Sequence, residues 1–280
     1  IQQENPETVL VLSGDHVYNA DYRKLLRFFD ETGADALIMT RTIPVAEASR
    51  FGVIGVDAES RIVEFLEKPK KPAAAPWDPA KSLISMGVYL FRTPVLIKAL
   101  IKDARNPKSA HDFGRDIVPA LIGSRRVFAY TFDDYWEDIG TIDAYWQANM
   151  AFLAPSPPAL LKDPAWPVRT YKPQYPPTFV AGGDLRASIL SAGCSLTDCR
   201  IVGSILGPGV RVEPGAEIVD SILFGDAVVR RGARLRKVII DKGSVIPEGF
   251  EVGADADADA RTFKISQTGI RVVPKGWTRE

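Results

Sequence analysis

Three ionisable side chains occupy positions where chemistry is easily built. Asp15 follows Ser13-Gly14, just past the apolar run Val9-Leu10-Val11-Leu12. That places it at the carboxyl end of a first strand, where open α/β sheets bind ligands. Asp138 lies in Tyr135-Trp136-Glu137-Asp138-Ile139-Gly140-Thr141, between a strand and a helix. Two carboxylates and the phosphates of a nucleotide are what Mg²⁺ favours, because this hard ion takes octahedral oxygen ligands and keeps several waters. Lys68, in Glu67-Lys68-Pro69, ends another strand and can meet an anionic phosphate. Each residue alone also has a plain structural reading. Asp15 fits a turn, Asp138 the approach to a helix, and Lys68 a solvated strand end.

The elements that must hold these groups alternate. Val9–Leu12 reads as a strand buried on both faces. Asp21 caps a helix in which Tyr22, Leu25, Leu26 and Phe29 share one face and Gly33 ends the run. Ala36–Met39, Phe51–Val56, Ile62–Leu66, Val88–Phe91 and Val127–Phe132 are further strands. Thr93-Pro94 opens a second helix, and Ile142, Tyr145, Trp146 and Leu153 mark a last one. This order predicts an α/β domain with a mostly parallel sheet.

Residues 155–177 carry eight prolines, each removing a backbone donor and fixing φ, so the stretch reads as a linker. After it the period changes to six. Leu206, Val212, Ile218 and Phe224 form one series, and Val210, Ala216, Ile222 and Val228 a second. After a one-residue slip the pattern continues through Val229 and Leu235, and through Ala233, Ile239 and Val245. Such hexads predict a parallel β-helix whose coils are three short strands.

Composition narrows the partners. The chain has 280 residues, 35 Lys+Arg against 35 Asp+Glu, two Cys and two His. Zero formal net charge argues against nucleic acid and against an anionic membrane surface. No apolar run approaches the ~20 residues of a membrane-spanning helix. Two cysteines make no disulfide framework, so a reducing cytoplasm is expected, with Cys194 and Cys199 as small buried thiols. Asp112-Phe113-Gly114 lacks the companion motifs of a kinase. Arg230, Arg231, Arg234, Arg236 and Lys237 read as a solvated face or an anion site, and Glu251–Ala260 as a solvated acidic segment.

Six ordered motifs carry a resemblance. Ser13-Gly14-Asp15-His16-Val17-Tyr18, Phe51-Gly52-Val53-Ile54, Phe65-Leu66-Glu67-Lys68-Pro69 and Ser85-Met86-Gly87-Val88-Tyr89 are four of them. His111-Asp112-Phe113-Gly114 and the Tyr135–Thr141 motif complete the set. With the β-helix and the ending Asp259-Ala260-Arg261 to Gly269-Ile270, they resemble the bacterial ADP-glucose pyrophosphorylase (glucose-1-phosphate adenylyltransferase) family of glycogen biosynthesis over essentially the whole chain.

The resemblance implies a Rossmann-like nucleotidyltransferase α/β domain over residues 1–154, incomplete at its start. A Pro-rich linker over 155–178 and a left-handed parallel β-helix over 179–280, serving oligomerisation and regulation, would follow. It implies that ATP and α-glucose 1-phosphate give ADP-glucose and pyrophosphate. Asp15 and Asp138 would hold Mg²⁺, Lys68 the sugar phosphate, and Glu67 the sugar hydroxyls. Gly52 would allow close backbone approach to the sugar, and Ser85 would add a polar contact, whereas Asp112 matches the pattern without an assigned role. It further implies a homotetramer with phosphorylated metabolite effectors, for which Arg234, Arg236, Arg271 and Lys275 are candidates.

One family feature has no counterpart: the glycine-rich nucleotide loop with its catalytic Arg, since the first glycine is Gly14. Losing a single preorganised transition-state donor costs ~2.7–4 kcal/mol. The expectation is therefore a piece that begins inside the catalytic domain, is inactive alone, and exposes a strand edge and an apolar face. A non-catalytic regulatory or assembly subunit of the same family, or another sugar-1-phosphate nucleotidyltransferase, is the alternative. A β-helix acyltransferase is disfavoured because both histidines, His16 and His111, precede the linker.

Overall fold

A computed structural model describes residues 3–158, 166, 170–171 and 173–279. The expectations attached to Ile1 and to much of the proline run lie outside these residues. Backbone contacts divide the chain into two compact units, Ile1–Gly14 with Ala20–Asp134, and Asp15–Asn19 with Tyr135–Glu280.

The first unit is built on a mixed sheet. Its strands are β1 (Thr8–Val11), β3 (Ala36–Pro44), β4 (Gly52–Val56), β5 (Ile62–Glu67), β6 (Lys81–Arg92) and β7 (Val127–Thr131). β2 (His16–Tyr18) belongs to the other unit. The strand order is β5-β4-β6-β3-β7, and β1 also pairs with β6. Only β3 and β7 run parallel; β1 and β3 are both antiparallel to β6, as β4 is to β5 and β6. The mostly parallel sheet expected from element order is thus corrected. The long strand β6 receives its neighbours head to tail, which needs no helical crossover between them.

β1 is half-buried rather than buried on both faces, and Leu12 beyond it is 47% exposed. α1 (Tyr22–Glu31) begins at Asp21, whose carboxylate accepts the Arg23 N–H, and is followed by Gly33 at φ +57°. The Arg23 guanidinium also lowers the Asp21 pKa to about 2. α2 (Thr93–Ala104) carries Pro94 in its first turn. A π-helical turn, Phe113–Ile117, runs into α3 (Val118–Leu121). Their apolar faces meet the sheet around Ile38, Ile54, Phe65, Phe91, Leu96 and Val127.

In the second unit β2 pairs antiparallel with β8 (Trp136–Asp138), and α4 (Ile142–Ala151) follows directly. The rest is a parallel β-solenoid. Ile205 pairs with Ile222 and Ile222 with Ile239, as Arg211 pairs with Val228 and Val228 with Val245. These coils therefore advance by 17 residues, the spacing also seen from Ser204 to Ser221, and the earlier pairs Ile189–Ile205 and Ser195–Arg211 advance by 16. A strict six-residue period would advance by three hexads per coil, so the slip recurs in every coil.

That slip corrects two assignments. Leu206, Val212 and Ile218 face inward, but the next inward residue is Leu223 rather than Phe224. Likewise Val210 and Ala216 are followed at the inner corner by Ser221 and Ala227, not by Ile222 and Val228. Ile222 and Ile239, with Ile270, form the core of an outer apolar cluster. Ile142, Tyr145, Trp146, Met150 and Phe224 pack against it, which groups α4 with the solenoid. Cys194 and Cys199 are free and buried, and burial raises both thiol pKa values.

Glu251–Ala260 is not uniformly solvated. Asp255 caps a short helix, α5 (Ala256–Ala260), and Asp259 is buried.

Candidate functional site

In the first unit, the β4–β5 hairpin positions Glu67 and Lys68. Gly52 stands opposite Glu67 in register, and the Lys68 N–H extends the ladder by donating to the Phe51 carbonyl at 3.1 Å. Lys68 then turns at φ +47°, a conformation that costs a non-glycine residue energy and that concentrates at ligand sites. Its Nζ lies 3.6 Å from Glu67 Oε1 and is mostly exposed.

Two glycines open the space that Glu67 occupies. A Cβ on Gly52 would sit 3.0 Å from Glu67 Oε2 and 2.5 Å from the Phe65 ring. A Cβ on Gly114 would sit 2.8 Å from the same carboxylate oxygen. Gly52 thus lets the Phe65 ring and the Glu67 carboxylate lie close against the backbone. Gly114 flanks the same carboxylate, and sequence reasoning did not single it out as a site residue. Asp112 gains a definite structural role, because its Oδ1 accepts the Arg115 N–H at 2.8 Å and caps the turn that carries Gly114.

Ser85 sits at a bulge in β6. The register with β3 jumps between Met39/Val88 and Thr40/Ser85, and Gly87 takes φ +65°. Bulges of this kind re-aim side chains beside active sites. The Ser85 Oγ accepts the Gly87 N–H at 3.2 Å and lies 3.5 Å from the Tyr89 hydroxyl. Burial raises the Tyr89 pKa; the Ser85 hydroxyl opposes this, and the Glu67 and Asp112 carboxylates add to it. Tyr89 thus presents a neutral phenol beside these acids. It stacks with Phe113 at 5.6 Å and was also missed; its motif was noted, but a tyrosine in a buried strand gives no signal beyond core packing.

In the second unit, the β2–β8 ribbon brings the two carboxylates together. His16 pairs with Asp138 in register, and the Ile139 N–H donates to the Asp15 carbonyl at 3.0 Å. Asp138 Oδ1 accepts the Gly140 N–H at 2.9 Å. A Cβ on Gly140 would lie 3.1 Å from Asp138 Oδ1 and 3.5 Å from Asp15 Oδ2, so the two carboxylates converge beside the Gly140 backbone. The Asp15 side chain is 61% exposed, with His16 Nε2 3.7 Å from its Oδ1.

This donor set fits Mg²⁺. Among the described residues no group of three or more His, Cys, Asp and Glu forms a closed cage. An ion that brings its own waters and substrate oxygens needs only one or two carboxylates.

The four effector candidates differ in their surroundings. Arg271 is held: its Nε lies 2.9 Å from Asp259 Oδ2, and its Nη1 donates to the Gly269 carbonyl at 2.7 Å. Arg234 pairs with Glu251 at 3.2 Å. Arg236 lines a cavity of about 240 Å³ together with Arg234, Glu217 and Glu251. Lys275 is exposed in a turn.

A nucleotide-transferring α/β region followed by a hexapeptide-repeat solenoid is the class that this fold defines. Residues 1–154 match the nucleotidyl transferase family model, and residues 177–273 match a GlmU-like C-terminal hexapeptide model. Among similar proteins, the glucose-1-phosphate adenylyltransferase of Shewanella sp. (strain ANA-3) is 44% identical over 290 residues, spanning 98% of this chain and 69% of that protein. The proteins of the same name from Thiobacillus denitrificans and Methylobacillus flagellatus are 41% and 40% identical. Each spans 98% of this chain, and they are covered over 65% and 68% of their own lengths. The chain belongs to the glucose-1-phosphate adenylyltransferase family of nucleotidyl transferases. No helix among the described residues is long and apolar enough to cross a membrane.

Proposed function

We propose that this chain carries the sugar-phosphate pocket and the metal-binding acids of a cytoplasmic glucose-1-phosphate adenylyltransferase. ATP and α-glucose 1-phosphate would give ADP-glucose and pyrophosphate. The observation that carries the reading is the Glu67–Lys68 corner, with its strained Lys68 backbone and the Glu67 carboxylate seated against Gly52 and Gly114. An ammonium and a carboxylate side by side suit a ligand with a phosphate at one end and hydroxyls at the other. Lys68 binds the phosphate, Glu67 accepts hydrogen bonds from the sugar hydroxyls, and Ser85 and the neutral Tyr89 supply further polar contacts.

The reaction asks the protein mainly to position an oxygen against a phosphorus in line and to neutralise charge. Asp15 and Asp138 would hold Mg²⁺, which when bound offsets the negative charge of the nucleotide phosphates. The solenoid is proposed as the assembly surface of a homotetramer. Arg236 and Lys275 remain the freer candidates for phosphorylated effectors, and Arg234 reaches one only by leaving Glu251.

Thermal unfolding with added sugar phosphates tests the pocket. A ligand at a hundred times its Kd stabilises the folded state by about 2.7 kcal/mol. α-Glucose 1-phosphate is expected to raise the melting temperature, and glucose 6-phosphate to leave it unchanged. Equal effects, or none from either, would overturn the assignment.

A further inference from the structure

The ribbon that carries the carboxylate pair is also anchored from behind. Five residues after Asp138, Asp143 reaches a turn of the solenoid more than a hundred residues away. Its Oδ1 accepts the Ser266 hydroxyl at 2.5 Å and the Thr268 hydroxyl at 2.6 Å. That turn joins Lys264–Ile265 to Arg271–Val273, the strand stacked on Val238–Ile240. Its shape is fixed internally: Ser266 Oγ accepts the Ile270 N–H at 3.0 Å, and Lys237 Nζ donates to the Thr268 carbonyl at 2.6 Å.

Further along α4, the Trp146 indole N–H donates to the Asp220 carbonyl at 3.1 Å, and Lys237 lies 5.5 Å over the same ring. In the other direction the path to the acids is short and stiff. Thr141 caps α4 by accepting the Ala144 N–H at 3.1 Å, and the Gly140 N–H is held by Asp138 Oδ1.

We propose that Asp143 is a positioning residue. Its grip on Ser266 and Thr268 fixes the first turn of α4 and, through Thr141 and Gly140, sets the orientation of Asp138 relative to Asp15. The proposal rests on reading Asp15 and Asp138 as a divalent-ion site. It goes further by making that site's affinity a property of the last solenoid turn. General packing would not require two short hydroxyl contacts onto one carboxylate at the helix start, since the apolar face of α4 already buries itself on Ile222, Ile239 and Ile270.

Two readouts on the 280-residue chain test it. Mn²⁺ binding, followed by the electron paramagnetic resonance of the free ion, reports the acids. The ¹⁹F resonance of 5-fluorotryptophan at Trp136, assigned with Trp136→Phe, reports the ribbon without any metal. Asp143→Asn and the pair Ser266→Ala with Thr268→Val should each weaken Mn²⁺ binding about tenfold, as loss of a supporting contact does at metal sites. Each should also shift the Trp136 signal while leaving Trp277 and Trp77 in place. All three changes together should be no worse than either alone, and Thr268→Ser should behave as the parent.

Additive losses, or an unmoved Trp136 resonance with parental Mn²⁺ affinity, would overturn the proposal. Should the parent and Asp138→Asn bind Mn²⁺ equally while Trp136 still responds to Asp143→Asn, the grip on the ribbon stands. The metal assignment of the pair then falls instead.

Discussion

Arg271 Nε meets Asp259 Oδ2 at 2.9 Å, with the two side chains only 12% and 6% exposed. The same oxygen accepts the Gly253 N–H at 2.9 Å, so one buried carboxylate joins α5 to the Arg271–Val273 strand and to the bend that follows Glu251–Val252. Removing one member of such a pair strands the other charge and costs about 3–5 kcal/mol. Arg271→Ala is therefore expected to lower solenoid stability by that amount in denaturant melts. An unchanged midpoint would return Arg271 to the list of free anion ligands.

The pocket glycines predict a second outcome. Gly114→Ala would place a methyl group 2.8 Å from Glu67 Oε2, and Gly52→Ala one 2.5 Å from the Phe65 ring. Overpacking of this kind costs about 1–3 kcal/mol. Both variants should fold with a reduced melting temperature and lose the stabilisation given by α-glucose 1-phosphate. A Gly114→Ala protein that responds to the sugar phosphate like the parent would show that Glu67 does not face the ligand.

A serine ladder supports one solenoid corner. Ser221 Oγ donates to the Val219 carbonyl at 2.7 Å and accepts the Val238 N–H at 3.2 Å, while the Ser221 N–H donates to Ser204 Oγ at 3.1 Å. Ser221→Ala leaves the buried Val238 N–H without its acceptor, a loss of about 1–3 kcal/mol. Hydrogen exchange at Val238 should accelerate accordingly, and unchanged protection would contradict the ladder.

Acid should release the α4 anchor. The Ser266 hydroxyl and then the Thr268 hydroxyl lower the Asp143 pKa; burial opposes them less strongly, and the Thr268 N–H and the charge of Lys237 add smaller lowering effects. A depressed native pKa adds stability that is present above the ordinary carboxylate value of about 4 and is lost as pH falls through the native value. The gap in melting temperature between parent and Asp143→Asn should be constant near neutrality and close below about pH 4. A gap that widens on acidification would reverse the sign of the argument.

Much of the fold is legible in the sequence. Asp21 and Gly33 bracket α1 because a cap and a left-handed stop are local signals. The motifs that name Gly52, Glu67 and Lys68 lie on one hairpin, where Gly52 stands opposite Glu67. Strand direction was not legible: β6 accepts antiparallel partners on both sides, and nothing in an apolar run states which way its neighbour travels. The 17-residue coil was hidden because a six-residue period follows it for several strands before slipping, which moved Phe224 from the interior to the α4 face. Gly114, Tyr89 and the Asp143 anchor escaped because each acts through a partner distant in sequence.

The most direct measurement is calorimetric titration of α-glucose 1-phosphate into the parent chain and into Lys68→Ala. The account predicts saturable one-to-one binding to the parent that weakens at least about tenfold in the variant, the loss of one charged contact of about 1.5–3 kcal/mol. Equal affinity in the two proteins, or no binding to a folded parent, would contradict it.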